Sequence, residues 1–154
     1  MMRYYKRREN FELRFDPAQW NVYPKASCYT YALNLPVNER LFVGDIAYGD
    51  KLKADECDDK MLIETIKKEI LMVGYNDVII SESRIDIPNY SLIYVSRTRA
   101  NGFYHFFRND SGIIWSHKKT LTAPTRIDCY GNIIINPRKS AEEGFNIGYY
   151  IYIK

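Results

Sequence analysis

The chain is poor in the residues that most often carry chemistry. Its 154 positions hold two histidines, His105 and His117, three cysteines, at 28, 57 and 129, and two tryptophans. Three cysteines are an odd number, and none stands in a C-x-x-C pair, so neither a disulfide framework nor a zinc ribbon is indicated and reduced thiols are expected. No run approaches the roughly 18 uncharged apolar residues of a membrane span, so no membrane partner is expected. An excess of one charge sign is also missing. With 22 basic against 19 acidic residues the net charge is +3, too mild to call for a nucleic-acid partner. What is abundant is apolar and aromatic: 46% hydrophobic and 15% aromatic residues, fourteen of them tyrosine, too many for a disordered chain. The length suits one domain with its own core.

The N-terminus, Met1 to Arg8, is basic but is followed by no apolar run and no small-residue cleavage site. A cytoplasmic location is therefore expected, with signal-less export of the effector kind left open. Residues 1–26, with Arg3, Lys6, Arg7 and Arg8 among tyrosines and Pro17 and Pro24 further on, read as an extended arm. Residues 27–154 read as a single domain.

Position 28 stands out. Ser27-Cys28-Tyr29-Thr30-Tyr31-Ala32-Leu33-Asn34 reads as a serine cap with a cysteine in the first turn of a helix, where free N–H groups and the positive end of the dipole favour a thiolate. Pro36 limits that helix to about Leu35. A second, longer helix is expected from Asp58 or Asp59 to Val73, with Leu62, Ile66, Ile70 and Val73 on one face and Gly74 as its stop. Strands are expected at 77–81, 92–96, 103–107, 113–116, 132–135 and 149–153. Helices before strands imply an α+β domain with a mainly antiparallel sheet.

Between Arg108 and Ile113 the turn composition Asn109-Asp110-Ser111-Gly112 predicts a hairpin. Pairing Arg108 with Ile113 would set His105 and His117 near each other but on opposite faces. His105, flanked by Phe103 and Phe107 on a helix-covered face, is the preferred base for a thiol, while His117 reads as more exposed. A base works best when a third group fixes its tautomer. Asp128, before the Gly131 turn, is the leading candidate, with an aspartate bonding its own turn as the alternative. Asp110 has a stronger turn reading still. Lys25 and Arg108 could attract an acidic peptide or read as solvated charge.

The order of a helix-start cysteine, a strand histidine and then a polar residue resembles the papain-like cysteine peptidase superfamily, especially its small bacterial amidohydrolase and endopeptidase branch. The resemblance rests on Ser27–Asn34, Tyr104-His105-Phe106-Phe107-Arg108, Trp115-Ser116-His117-Lys118 and Asp128-Cys129-Tyr130-Gly131, and runs from about residue 27 to 137. After Lys118 this chain has Lys119-Thr120 where such relatives carry Pro-Gly, so a different loop shape is expected there. The resemblance implies a short Cys-bearing helix and a longer helix packed on an antiparallel sheet, with Cys28 as nucleophile and His105 as general base and acid. Asp128 or His117 would be the orienting group. It implies hydrolysis of an amide, isopeptide or ester bond through a thioacyl intermediate, a peptide-like substrate and no cofactor. An acyltransferase would use the same groups. Two rivals are a zinc site from Cys28, His105, His117 and Cys129, and a non-enzymatic Tyr-rich module binding protein or nucleic acid.

Overall fold

A computed structural model describes residues 5–8 and 15–154. The parts of the expected arm at 1–4 and 9–14 lie outside the described residues. Within the rest, the class is α+β: four helices, α1 (Cys28–Ala32), α2 (Asp45–Tyr48), α3 (Asp59–Met72) and α4 (Pro137–Ser140), accompany a five-stranded sheet. The strands are β1 (Val78–Ser81), β2 (Ser91–Arg97), β3 (Tyr104–Ser111), β4 (Ile114–Ser116) and β5 (Ile147–Ile153). Their spatial order is β1-β5-β2-β3-β4, and every neighbouring pair is antiparallel.

Alternation along the strands divides the apolar residues between two faces. One face carries Ile93, Val95, Phe106, Ile151 and Ile153, which pack with Tyr29, Ala32 and Leu33 of the α1 region and Leu62, Ile66 and Ile70 of α3. Each fully buried aliphatic side chain there contributes roughly 1.5–3 kcal/mol. The other face is aromatic, with Tyr94, Phe107, Trp115, Tyr150 and Tyr152 around Ile134. Six of the fourteen tyrosines that suggested a binding surface lie inside instead: Tyr29, Tyr31, Tyr75, Tyr94, Tyr150 and Tyr152 are all buried. Gly148 in β5 permits this packing, since a Cβ there would meet the Tyr94 hydroxyl at 1.6 Å.

The longer helix matches its sequence pattern closely. Asp58 caps it by accepting from Met61 N, and Gly74, at φ 110°, follows it in the left-handed conformation that glycine adopts without steric cost. The first helix stops earlier than the proline predicts. Asn34 takes φ 53° and Leu35 N donates to Thr30 O, so the chain turns off two residues before Pro36. The expected strand at 132–135 makes only one isolated bridge, Ile127 with Ile133. Ile134 instead donates to Arg126 O and accepts from Trp115 N, tying an irregular segment across the aromatic face.

The hairpin register also differs from expectation. Arg108 pairs with Ser116 rather than Ile113, Asn109 pairs with Trp115, and a bulge precedes the pairing of Ser111 with Ile114. Strand β3 therefore runs through most of the predicted turn and closes tightly at Gly112, which takes φ 70°. A three-residue shift exchanges the sheet face that every later side chain occupies. It brings the two histidines to the same side.

Candidate functional site

The α1 N-terminus is built by Ser27 and Thr30. The Ser27 side chain accepts from Thr30 N while Thr30 Oγ1 accepts from Ser27 N, a reciprocal cap. Ser27 Oγ donates to Leu41 O at 2.6 Å. Lys118, buried, donates from Nζ to Pro24 O at 3.0 Å and Ala26 O at 2.7 Å, fastening the chain that enters α1 to the end of β4. Tyr29 anchors the helix from below, its ring 4.8 Å from that of Phe106 and its hydroxyl donating to Glu69 at 2.8 Å. These contacts hold a five-residue helix that its own backbone bonds would not sustain.

Cys28 sits half-buried at the head of this helix, against the edge of β3. Strand β4 pairs with β3 only from Arg108 onward, leaving that edge open at residues 105–107. Desolvation raises the Cys28 thiol pKa above its ordinary value, opposed by hydrogen bonds from the backbone N–H groups of Phe106, Tyr29 and Cys28 and by the Arg40 charge. The expectation of a resting thiolate is therefore corrected. A five-residue helix offers a weak dipole, and loss of water outweighs it.

His105 and His117 meet directly: His105 Nε2 lies 2.8 Å from His117 Nδ1, and His117 Nε2 lies 2.8 Å from Ile127 O. This chain fixes both tautomers. A carbonyl only accepts, so His117 Nε2 carries the proton, His117 Nδ1 accepts, and His105 Nε2 donates. The Nδ1 of neutral His105 is then left with a lone pair. Both rings rest neutral. Desolvation, then His117 and Lys119, push the His105 pKa down to about 3. His117 is lowered chiefly by desolvation, against the Ile127 carbonyl, which raises it.

Several placements revise the expectations. His105 lies on the aromatic face with Phe107, their rings 4.9 Å apart, not on the helix-covered face where Tyr104 and Phe106 point. His117 is buried at 6% exposure rather than open, stacked on Phe107 at 5.3 Å and 14°. Asp128 Oδ1 accepts from Tyr130 N and Asn132 N, both at 2.9 Å, so the carboxylate closes its own turn, and the group that reaches His105 is His117. Slight desolvation of Asp128 is outweighed by those two amides and Ser140, which hold its pKa below the ordinary range. Arg108 is neither solvated nor a lure for peptides: it is fully buried, with Nε 3.1 Å from Asp110 Oδ1. Asp110, read as a turn residue, lies in β3 and accepts from both Arg108 and Ser116.

Cys28, His105 and His117 line one cavity of about 580 Å³, together with Phe42, Phe103, Phe145 and Cys129. It is mainly apolar, with a few polar groups converging, as small-molecule and peptide sites tend to be. For the zinc alternative, His117 already has both nitrogens engaged, and among the described residues no three His, Cys, Asp or Glu side chains come together as a metal site. Cys28, Cys57 and Cys129 are all unpaired thiols.

Two structural residues escaped the sequence reading. Glu69, fully buried, accepts from Tyr29 Oη, Gly44 N and Ala47 N, stitching α3 to α2 and α1. Desolvation raises its pKa against these donors. Its place on the apolar stripe of α3, between Ile66 and Ile70, was a signal available in the sequence. Lys118 gave none, because a lysine beside a histidine in a polar run reads as surface.

No family model and no solved structure matches the chain. It is similar to insoluble matrix shell protein 1 of Ruditapes philippinarum, with 29% identity over 134 residues that cover 85% of this chain and 82% of that protein. Among the described residues no helix is long and apolar enough to cross a membrane.

Proposed function

We propose that the protein is a papain-like thiol hydrolase that cleaves an amide, isopeptide or ester bond, with Cys28 as nucleophile, His105 as general base and acid, and His117 as the group that orients His105. The observation that supports this reading most is the relay Ile127 O to His117 to His105, because it leaves His105 with an unprotonated Nδ1 beside the cavity that Cys28 lines. The Phe106 backbone, one residue along the strand from that imidazole, acts on the Cys28 thiol and opposes the rise in its pKa. A helix-start cysteine and a strand histidine lining one cavity are consistent with the superfamily resemblance.

In the reaction the neutral thiol passes its proton to His105 Nδ1 as Sγ attacks the carbonyl carbon, so thiolate and imidazolium form only as bonding proceeds. The oxyanion takes hydrogen bonds from local N–H groups, that of Cys28 among them. Collapse breaks the bond to the leaving amine or alcohol, which takes the proton from His105, and leaves a thioester. Water, deprotonated by His105, then releases the acid and restores the thiol. His117 keeps the imidazole in the productive tautomer and stabilises the proton it gains. Three unpaired thiols suit a reducing compartment such as the cytoplasm.

The test is direct trapping. A p-nitrophenyl acyl ester should give a burst and a covalent acyl mass on the peptide holding Cys28. Cys28→Ser should abolish both, and His105→Ala should slow both without unfolding the protein. Undiminished hydrolysis in Cys28→Ser would refute the reading.

A further inference from the structure

The cavity rim carries an uneven set of charges. Arg40, Lys51 and Lys53 line it on the side of the 40–55 connection, and Asp55 and Glu142 are the lining acids. Two of these charges are already engaged: Lys53 with Glu56 at 4.0 Å and Glu142 with Lys119 at 3.4 Å. Arg40 and Lys51 are different. Their cationic ends stand 5.1 and 5.0 Å from the centroid of the same ring, Phe42, and among the described residues neither has a carboxylate within ion-pair distance. Asp55 is the one lining acid left to oppose them.

Two cations held near one aromatic ring, with no carboxylate among the described residues paired to either, repel each other, and a ligand anion reaching both would relieve this. Arg40, Lys51 and Phe42 line the same cavity as Cys28, and the Arg40 charge acts on the Cys28 thiol. Phe42, Phe103 and Phe145 supply apolar wall around it.

The geometry points to a substrate whose acyl portion bears a carboxylate within a few bonds of the scissile carbonyl, held by Arg40 and Lys51 over Phe42. This rests on the thiol-hydrolase reading and adds its substrate class: acidic acyl donors rather than neutral ones. Arg40 and Lys51 are binding residues, and their contribution falls on recognition of the anion.

Two alkylating agents of nearly one size separate the charge from everything else. Iodoacetate carries the carboxylate and iodoacetamide is neutral, and both consume the thiolate, so the ratio of their rates cancels any change in thiol pKa. Measured on the intact protein with peptide mapping, the ratio at Cys28 should exceed that at exposed Cys129. It should fall about threefold or more in Arg40→Gln/Lys51→Gln and collapse toward the Cys129 value in high salt. A Cys28 ratio no greater than that of Cys129, one unchanged in the double variant, or no labelling of Cys28 by either reagent would each overturn the assignment. Failure of the hydrolase reading looks different: the anion preference persists while acyl trapping at Cys28 is absent and His105→Ala alters nothing.

Discussion

Strands β3 and β4 build two polar clusters a few residues apart, and the two differ in almost every respect. Around Arg108 the cluster is closed. The guanidinium meets Asp110 at 3.1 Å, donates to Tyr31 O at 3.3 Å and lies 4.0 Å from the Tyr31 ring, while Ser116 joins Asp110 at 2.9 Å and Tyr31 at 2.6 Å. Around His105 the cluster is open. Its groups form one short relay, end on a ring nitrogen with a lone pair, and face a cavity. Burial with opposite charges paired, Asp110 between Arg108 and Arg126, makes a fastener. Burial with a ring nitrogen left unpartnered among the described residues, on a cavity that a thiol also lines, leaves room for a ligand.

Breaking the closed cluster should have the largest effect on the fold. Arg108→Met leaves the buried Asp110 carboxylate with the Arg126 cation, 3.8 Å away and partly exposed, in place of a hydrogen-bonded guanidinium, an expected loss of about 3 kcal/mol by chemical denaturation. His105→Ala should do the reverse, lowering the rate of hydrolysis by about 10²–10⁴-fold while shifting stability far less than Arg108→Met. If the two variants gave similar losses of stability, the contrast between fastener and site would fail.

Gly148→Ala probes the scaffold alone. Its Cβ would collide with the Tyr94 hydroxyl, so the aromatic face must shift, at an expected cost of about 1–3 kcal/mol with Cys28 still able to be acylated. A last probe is pH. His105 has its folded pKa lowered to about 3 from an ordinary value near 6.5, so the unfolded chain binds the extra proton first. The stability due to its neutral form is complete above about pH 6.5 and is lost as pH falls toward 3. Unfolding measured across that window should be less pH-dependent in His105→Phe, whose ring keeps the packing without the titration.

How much was legible depended on the range of the interaction. Helix α3 was readable nearly to the residue, because Asp58, the stripe of Leu62, Ile66 and Ile70, and Gly74 are all local signals. The reciprocal cap before Cys28 was half visible in Ser27, and Cys28, His105 and His117, which line one cavity, were all singled out. Their relation was not. The predicted turn at 109–112 became mostly strand because Asp110 found buried partners in Arg108 and Ser116, and that pull against local turn preference shifted the register by three residues. Asp128 went the other way, keeping to the turn amides its own sequence supplies.

The amino-acid order alone determined the α+β class, the α3 stripe, the helix cap ahead of Cys28 and the alternation that divides the sheet into two apolar faces. These follow from periods of 3.6 and 2 and from caps within three residues. Tertiary structure alone decided that the two imidazoles touch, that Arg108 and Lys118 are buried, and that burial pushes the Cys28 thiol pKa up rather than down. Register, burial and desolvation are set by partners distant in the chain, and they can reverse what each residue's neighbours suggest.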